Sequence, residues 1–248
     1  MPFARAIHSM RSKTCEPGCP SHDRPLKYLS PPLTRQPVRK SLHNNNHTPE
    51  HSPASSKIYP PQSYIAISTQ AVYSGQTPML ARIALADYWG TILLDTFVQP
   101  TQHVTHYGTL AHQYHQQLHA APTLDVVRHQ VMGHIHPTQN QNKILVGYAI
   151  WTSLAVLNIS HPTISTRDCA VFEPFLHHLR TTQMPPLPIL TNRFLGRNIG
   201  IIEPEHPVES ARAALDLFRS NEQRWEGLID QGRWPSSLPP QAYAIYFT

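Results

Sequence analysis

Residues 64–98 read YIAISTQAVYSGQTPMLARIALADYWGTILLDTFV, and this stretch decides the fold. It contains three runs, at 64–72, 80–88 and 91–98, that are rich in β-branched and aromatic residues and partly alternate in polarity. Short segments with glycine separate the runs, as is typical of hairpin turns. The pattern predicts three antiparallel strands that form a meander.

Beyond the meander, the apolar residues change to helical spacing. Helices are predicted at 124–132 and 151–157, where apolar residues recur every three or four positions. The run KILVG at 143–147 is almost continuously apolar, which is typical of a buried strand. A strand-like stretch near 167–171 follows, and residues 174–188 are expected to form a long surface loop.

The carboxyl-terminal part contains the clearest amphipathic pattern. A short helix is predicted at 189–195, closed by Gly196. The last predicted helix begins near Pro207, because proline suits a first turn. Its apolar stripe consists of Val208, Ala211, Leu215 and Phe218. The final residues, 235–248, are again apolar and are expected to dock on the core. This order of elements predicts an α/β fold, a mixed sheet with helices packed on its faces.

The first 60 residues differ in composition from the rest of the chain. Residues 1–60 are rich in Pro, Ser, His and Asn and contain nine Lys or Arg against three Asp or Glu, a net charge of +6. They are interpreted as a disordered basic tail. Residues 61–248 contain eleven basic and twelve acidic residues, a net charge of −1, and are interpreted as one domain. Nucleic-acid affinity depends largely on neutralising phosphates, so this domain is expected to bind RNA weakly. Any RNA binding by the full chain is expected to occur chiefly through the tail.

Composition also indicates the cellular compartment of the protein. No apolar run is long enough to cross a membrane, and no secretory signal begins the chain. The three cysteines favour a reducing compartment, and an intracellular protein of the nucleus or cytoplasm is expected. Cys15, Cys19 and His22 are close in sequence, but a zinc site requires a fourth ligand. The basic segment 1–13 weakly resembles a transit peptide, but a disordered basic tail is the interpretation we favour.

Four blocks carry a family resemblance. Residues 66–109 (AISTQAVYSGQTPMLARIALADYWGTILLDTFVQPTQHVTHYGT) match the run ALDCEMVG…LARVSLVNxxG…DTYVxP…VTDYRT. Residues 145–162 match LVGHxLxNDLxxLxxxHP, 167–169 match RDT, and 205–218 match HSSVEDARAAMxLY. The chain thus resembles the DEDDh 3′–5′ exonucleases of the RNA exonuclease 4 and interferon-stimulated type. The resemblance implies a ribonuclease-H-like mixed sheet with flanking helices.

The resemblance also implies where the catalytic groups should lie. The family holds two Mg²⁺ or Mn²⁺ ions with four carboxylates and uses a histidine as general base. In this chain the four acidic positions fall on Ser68, Gln70, Ser153 and Ser210, and the histidine position falls on Glu205. Only a local register shift would place His206 there instead. Because neutral side chains cannot supply the charge that Mg²⁺ requires, the metal site is expected to be lost.

Two functional hypotheses follow from the resemblance. The first is a pseudo-enzyme without nuclease activity that acts as a binding or scaffold protein for an unknown small molecule or protein. The second is a metal-independent enzyme repurposed for a small organic substrate in the old nuclease cleft, with His206 as a candidate acid or base beside Glu205. The cleft is expected to be lined by Ser68, Gln70, Tyr148, Trp151, Ser153, Glu205 and His206. Tyr148 and Trp151 would either shape a ligand pocket or fill the space of the metals.

Two further features bear on the chemistry. Histidines recur at 103, 106, 112, 115 and 119, most simply as a solvated loop. If residues 112–119 were helical, three of these histidines would share a face that could bind a transition metal. Asp168 is a retained carboxylate of the RDT block, and it is expected to make a structural hydrogen bond, since one carboxylate cannot form a two-metal site.

Overall fold

The computed structural model describes residues 59–137 and 142–248. The predicted tail, 1–60, lies almost wholly outside the described residues, as do Cys15, Cys19 and His22. In the part of the chain that is described, every helix is too short or too polar to cross a bilayer.

A mixed sheet of five strands forms the centre of the domain, in the order β3-β2-β1-β4-β5. The strands are β1 (Tyr64–Ser74), β2 (Thr77–Asp87), β3 (Ile92–Phe97), β4 (Ile144–Gly147) and β5 (Thr166–Asp168). The first three are antiparallel neighbours, which confirms the predicted meander. β4 and β5 add in parallel beside β1. This is the expected ribonuclease-H-like arrangement.

Seven α-helices surround the sheet in the described residues. They are α1 (His115–His119), α2 (Leu124–Ile135), α3 (Ile150–Leu157), α4 (Glu173–Leu179), α5 (Leu187–Leu195), α6 (Pro207–Arg219) and α7 (Glu222–Asp230). The predicted helices are confirmed as α2, α3, α5 and α6. Gly196, in the left-handed conformation at φ 63°, ends α5 as expected.

Two predictions about the helices were wrong. Residues 174–188 contain α4 rather than a continuous loop, because Pro174 lies in the first turn of a helix and Phe175 is buried against Phe172. The helix α7 was not predicted at all. It packs behind α6, where Trp225 stacks on Phe172 at a ring distance of 3.8 Å.

The core lies on both faces of the sheet. On one face Tyr64, Ala66 and Val146 pack against α6 and the aromatic residues around Trp225. On the other face Ile65 and Ile67 pack with residues of α2 and α3. Successive residues of β1 therefore face opposite layers, so the first half of this strand is buried on both sides, while Ser68 and most of the residues after it are only partly buried.

The carboxyl-terminal segment docks on the core, as predicted. Its backbone pairs with the residues that follow α3, through His161 N–H to Tyr246 O at 2.9 Å. It also pairs with the start of α4, through Glu173 N–H to Pro235 O at 2.9 Å. A short 3-10 helix, Gln241–Tyr246, lies beside α3. The segment thus covers one side of the region where α3 meets the sheet.

Candidate functional site

A cleft of about 900 Å³ opens where β1, α3 and the start of α6 meet. Three of the expected cleft residues line it, Ser68, Tyr148 and Glu205, together with Ser210, which was expected only as an aligned acidic position. Three of the sequence blocks, 66–109, 145–162 and 205–218, therefore contribute to one concave surface. A cleft of this size accommodates a small organic molecule.

Ser68 and Ser210 are two of the positions that the resemblance aligns with family carboxylates. Ser68 lies on β1 and Ser210 on the first turns of α6, and both are half-buried at the cleft wall. Neither side-chain hydroxyl has a hydrogen-bond partner among the described residues. Both hydroxyls are therefore available to a molecule in the cleft.

Gln70 is buried behind the cleft wall instead of lining it, with only 2% of its surface exposed. Its Nε2 donates to Thr109 Oγ1 at 3.1 Å, and Thr109 Oγ1 donates to Glu205 Oε2 at 2.9 Å. Two aligned catalytic positions are thus joined through a hydroxyl. The role of Thr109 was missed from sequence, although it ends the matching block 66–109 and could have been singled out there.

Ser153 also lies behind the wall rather than in it. Its residue surface is 3% exposed, and its Oγ is 2.9 Å from Thr69 Oγ1. Thr152, the preceding residue of α3, is exposed and lines the cleft. The position of the third family carboxylate is therefore occupied by a hydroxyl that is already paired within the protein.

Trp151 does not line the cleft, contrary to the expectation from sequence. It is buried at 4% exposure and packs with Ala149, Ala170 and the carboxyl-terminal Phe247. Each residue of a helix turns by about 100°, so Thr152 and Trp151 point to different sides of α3. The tryptophan therefore anchors the carboxyl-terminal segment and leaves the cleft open.

Tyr148 does line the cleft. Its hydroxyl donates to Pro185 O at 2.8 Å, which fixes the ring beside the start of α5. Burial, with the nearby carboxylates of Asp168 and Glu205, raises the pKa of Tyr148 to about 12. The side chain is therefore a neutral aromatic wall at physiological pH.

His206 and Glu205 are sequence neighbours that point to different partners. Glu205 has a φ of 56°, a left-handed conformation that is uncommon for a residue with a side chain. His206 Nε2 lies 3.9 Å from Glu203 Oε2 and is not part of the cleft wall. The suggested acid and base pair of Glu205 and His206 is therefore not assembled.

Asp168 makes the structural hydrogen bonds expected for it. Its carboxylate accepts backbone N–H groups of Ala149 at 2.9 Å, Ile150 at 2.6 Å and Ala170 at 2.9 Å. Burial raises the pKa of Asp168 to about 6, while the three hydrogen bonds act in the opposite direction. The residue holds the first turn of α3 against the end of β5, which positions the cleft wall.

The residues at the family's metal positions do not fit a dimetal centre. Mg²⁺ is held chiefly by carboxylate oxygens, and here the aligned groups are three hydroxyls and an amide. Two of these groups, those of Gln70 and Ser153, are engaged in hydrogen bonds within the protein. Across residues 59–137 and 142–248, no three His, Cys, Asp or Glu side chains are grouped so that they could hold a metal ion.

Within the histidine-rich stretch, residues 112–119 are helical and not a loop, whereas His103 and His106 lie outside helices. A 3-10 turn, His112–Tyr114, leads into α1, and the ring of His115 stacks on Tyr107 at 3.5 Å. The rings of His112 and His115 are 4.8 Å apart. With no metal-holding group among the described side chains, the stacking of His115 explains its position without an ion.

Comparison with solved structures supports the fold. The chain superimposes on the catalytic unit of Neurospora crassa Pan2, with its protease and nuclease domains, at a TM-score of 0.55 and 17% identity, covering 72% of this chain and 29% of that one. It also superimposes on the pseudoubiquitin hydrolase–RNA exonuclease module of Saccharomyces cerevisiae Pan2 at a TM-score of 0.53 and 22% identity, covering 76% and 34%. These likenesses establish a ribonuclease-H-like fold.

Sequence comparison identifies relatives. RNA exonuclease 4 of Mycosarcoma maydis is 34% identical over 183 residues, covering 72% of this chain and 47% of that protein. RNA exonuclease 4 of Cryptococcus neoformans is 36% identical over 170 residues, covering 67% and 40%. The chain thus spans less than half the length of these two relatives. No family model matches it.

One relative is covered over most of its length. RNA exonuclease 4 of Candida albicans is 33% identical over 204 residues, which cover 75% of this chain and 68% of that protein. On this sequence similarity and the fold, the chain belongs to the RNA exonuclease 4 family.

Proposed function

We propose that this chain is a degenerate member of its family that has no nuclease activity and acts as a binding or scaffold protein through the retained cleft. One observation carries the proposal: Ser68 and Ser210 present hydroxyls, not carboxylates, where β1 and α6 meet at the cleft. The fold of an exonuclease is kept while the groups that would hold its metals are absent from the cleft wall.

The energetic consequence is large. Two metal ions in this kind of site activate a water and stabilise the transferring phosphoryl group, which contributes several kcal/mol to the transition state. Each 1.36 kcal/mol corresponds to a factor of ten in rate, so losing both ions lowers the rate by several orders of magnitude. The side chains at the four positions aligned with carboxylates supply no negative charge with which to hold the ions.

The proposal is tested with the purified full chain and a 5′-labelled single-stranded RNA in Mg²⁺ or Mn²⁺. We expect no shortening from the 3′ end. Trimming that depends on the metal and is abolished by EDTA would overturn the proposal. A thermal melt of the same preparation shows that the protein assayed is folded.

A restored variant serves as the matched control for this assay. It carries Ser68→Asp, Gln70→Glu, Ser153→Asp, Glu205→His and Ser210→Asp. We expect metal-dependent 3′ trimming by this variant, because the surrounding scaffold is that of the family. Activity in the variant and none in the unchanged chain would assign the loss to these positions.

A second candidate is a metal-independent enzyme that acts on a small organic substrate. The observation in its favour is that the cleft remains open, at about 900 Å³, instead of being filled by aromatic side chains. An acid and base pair would be needed for such chemistry, and the His206 imidazole lies 3.9 Å from Glu203 and does not line the cleft. Binding without turnover is therefore the proposal we favour.

A further inference from the structure

The charge of the cleft indicates which ligands it can hold. Among the described residues that line it, none is Lys, Arg or His, and Glu205 is the single carboxylate. A phosphate-binding cleft in a protein of this kind would require basic side chains or a metal ion. This cleft instead has a net negative wall, which disfavours anions and favours a cation.

Aromatic side chains add to this preference. Tyr73, Tyr148 and Tyr243 all line the cleft and are half-buried, so their rings are held by the protein while part of each surface remains accessible. The face of a phenol ring attracts an ammonium group. The tyrosines come from β1, the segment before α3 and the carboxyl-terminal segment, and they therefore approach the cleft from different elements.

Glu205 is held in place at the cleft. Its Oε2 accepts the hydrogen bond from Thr109, and the backbone at Glu205 is in the left-handed conformation. Strained conformations of this kind occur often at functional sites. A carboxylate positioned in this way can receive an ammonium group without first reorganising.

We infer that the ligand is a small organic amine, protonated at physiological pH, with an aromatic or other apolar body. This inference rests on the proposed binding function. The ammonium group binds at Glu205 and the body contacts the tyrosine rings. The hydroxyls of Ser68 and Ser210 are free to accept or donate the remaining hydrogen bonds. The cleft volume fits a molecule of this class.

Three probes that share an indole body test the charge preference. Tryptamine carries an ammonium group, N-acetyltryptamine is neutral, and indole-3-propionate carries a carboxylate. We expect the full chain to bind tryptamine roughly tenfold more tightly than the neutral probe, and the anion most weakly, in an NMR titration at low salt. Raising the salt concentration should reduce the preference.

Substitutions identify the residues that cause the preference for the ammonium probe. Glu205→Gln should remove most of it while leaving the neutral probe nearly unchanged. Tyr148→Leu should weaken tryptamine and the neutral probe, and tryptamine more, because the ring attracts the ammonium group as well as contacting the apolar body. Asp125→Asn, which neutralises an exposed carboxylate outside the cleft, should have no effect. Equal binding of the three probes, tightest binding of the anion, or no binding of tryptamine at millimolar concentration would overturn the inference.

The two proposals can fail separately. Metal-dependent trimming of RNA together with selective tryptamine binding would refute the loss of nuclease activity and leave the ligand class intact. Absence of both trimming and selective binding would refute the ligand class alone. If Glu205→Gln does not fold, the salt dependence and the probe series with the unchanged chain still decide the question.

Discussion

Arg167 and Glu226 form a buried ion pair in which each side chain is about 1% exposed. The guanidinium donates from Nε to Oε1 at 2.7 Å and from Nη2 to Oε2 at 2.9 Å. The hydroxyl of Tyr64 also donates to Oε1, at 3.3 Å. The pair joins β5 to α7. Removing one partner would leave the other charge buried and uncompensated.

Glu226→Ala is therefore expected to lower the free energy of unfolding by roughly 3–5 kcal/mol, measured by urea denaturation. Asp125→Ala is the control, because Asp125 pairs with Arg128 at the surface with its side chain 87% exposed. This control should lose less than about 1 kcal/mol. Similar losses in the two variants would contradict the role of the buried pair.

At the scale of elements, the carboxyl-terminal segment is held beside α3 around His161. The backbone of His161 pairs with Tyr246 and with Thr248, and its ring is fully buried. Nε2 lies 3.1 Å from Ser165 O, and Nδ1 has no hydrogen-bond partner among the described residues. Burial, together with the neighbouring His136, lowers the pKa of His161 to about 4.

This lowered pKa predicts acid sensitivity. Between about pH 6.5 and pH 4 the unfolded chain takes up a proton at His161 that the folded chain does not, so stability falls as the pH falls. The loss attributable to this group is at most about 3 kcal/mol. We expect His161→Gln to flatten the dependence of unfolding free energy on pH across this window.

Urea denaturation of both proteins at several pH values between 4 and 7 checks this expectation. Asp168, with its pKa raised to about 6, contributes a slope of the opposite sign, but it is present in both proteins and cancels in the comparison. Parallel curves for the variant and the unchanged chain would show that His161 is not the group responsible.

At the scale of the whole molecule, positive charge is unevenly distributed along the chain. Residues 1–60 have a net charge of +6 and residues 61–248 a net charge of −1. Phosphate contacts dominate non-specific affinity for nucleic acids, and the cleft offers no basic side chain among its described residues. Any RNA binding by the full chain should therefore depend on the first 60 residues.

We expect a protein spanning residues 61–248 to bind single-stranded RNA far more weakly than the full chain, and the binding of the full chain to fall steeply with salt. Fluorescence anisotropy at 50 and 200 mM salt measures both effects. Salt-resistant binding by residues 61–248, at sub-micromolar concentration, would contradict the expectation.

Much of this molecule was determined by local sequence. The three strands of the meander and the helices α2, α3, α5 and α6 follow from apolar periodicity and from Pro207 and Gly196 at helix ends. The presence of the serines Ser68 and Ser210, at positions that the resemblance aligns with family carboxylates, is also a property of the sequence alone. These features depend on residue type and spacing, which do not require the chain to be folded.

The tertiary structure decided which side chains reach the cleft. Trp151 and Ser153 flank Thr152 on α3, but only Thr152 lines the cleft, because the rotation of a packed helix depends on its neighbours. Glu205 lines the cleft and His206 does not, and no local pattern indicated the left-handed backbone at Glu205. The burial of α4 and α7 also involves residues distant in sequence, because Phe175 of α4 packs near Phe194 and Trp225 of α7 stacks on Phe172, and that burial exists only in the folded chain.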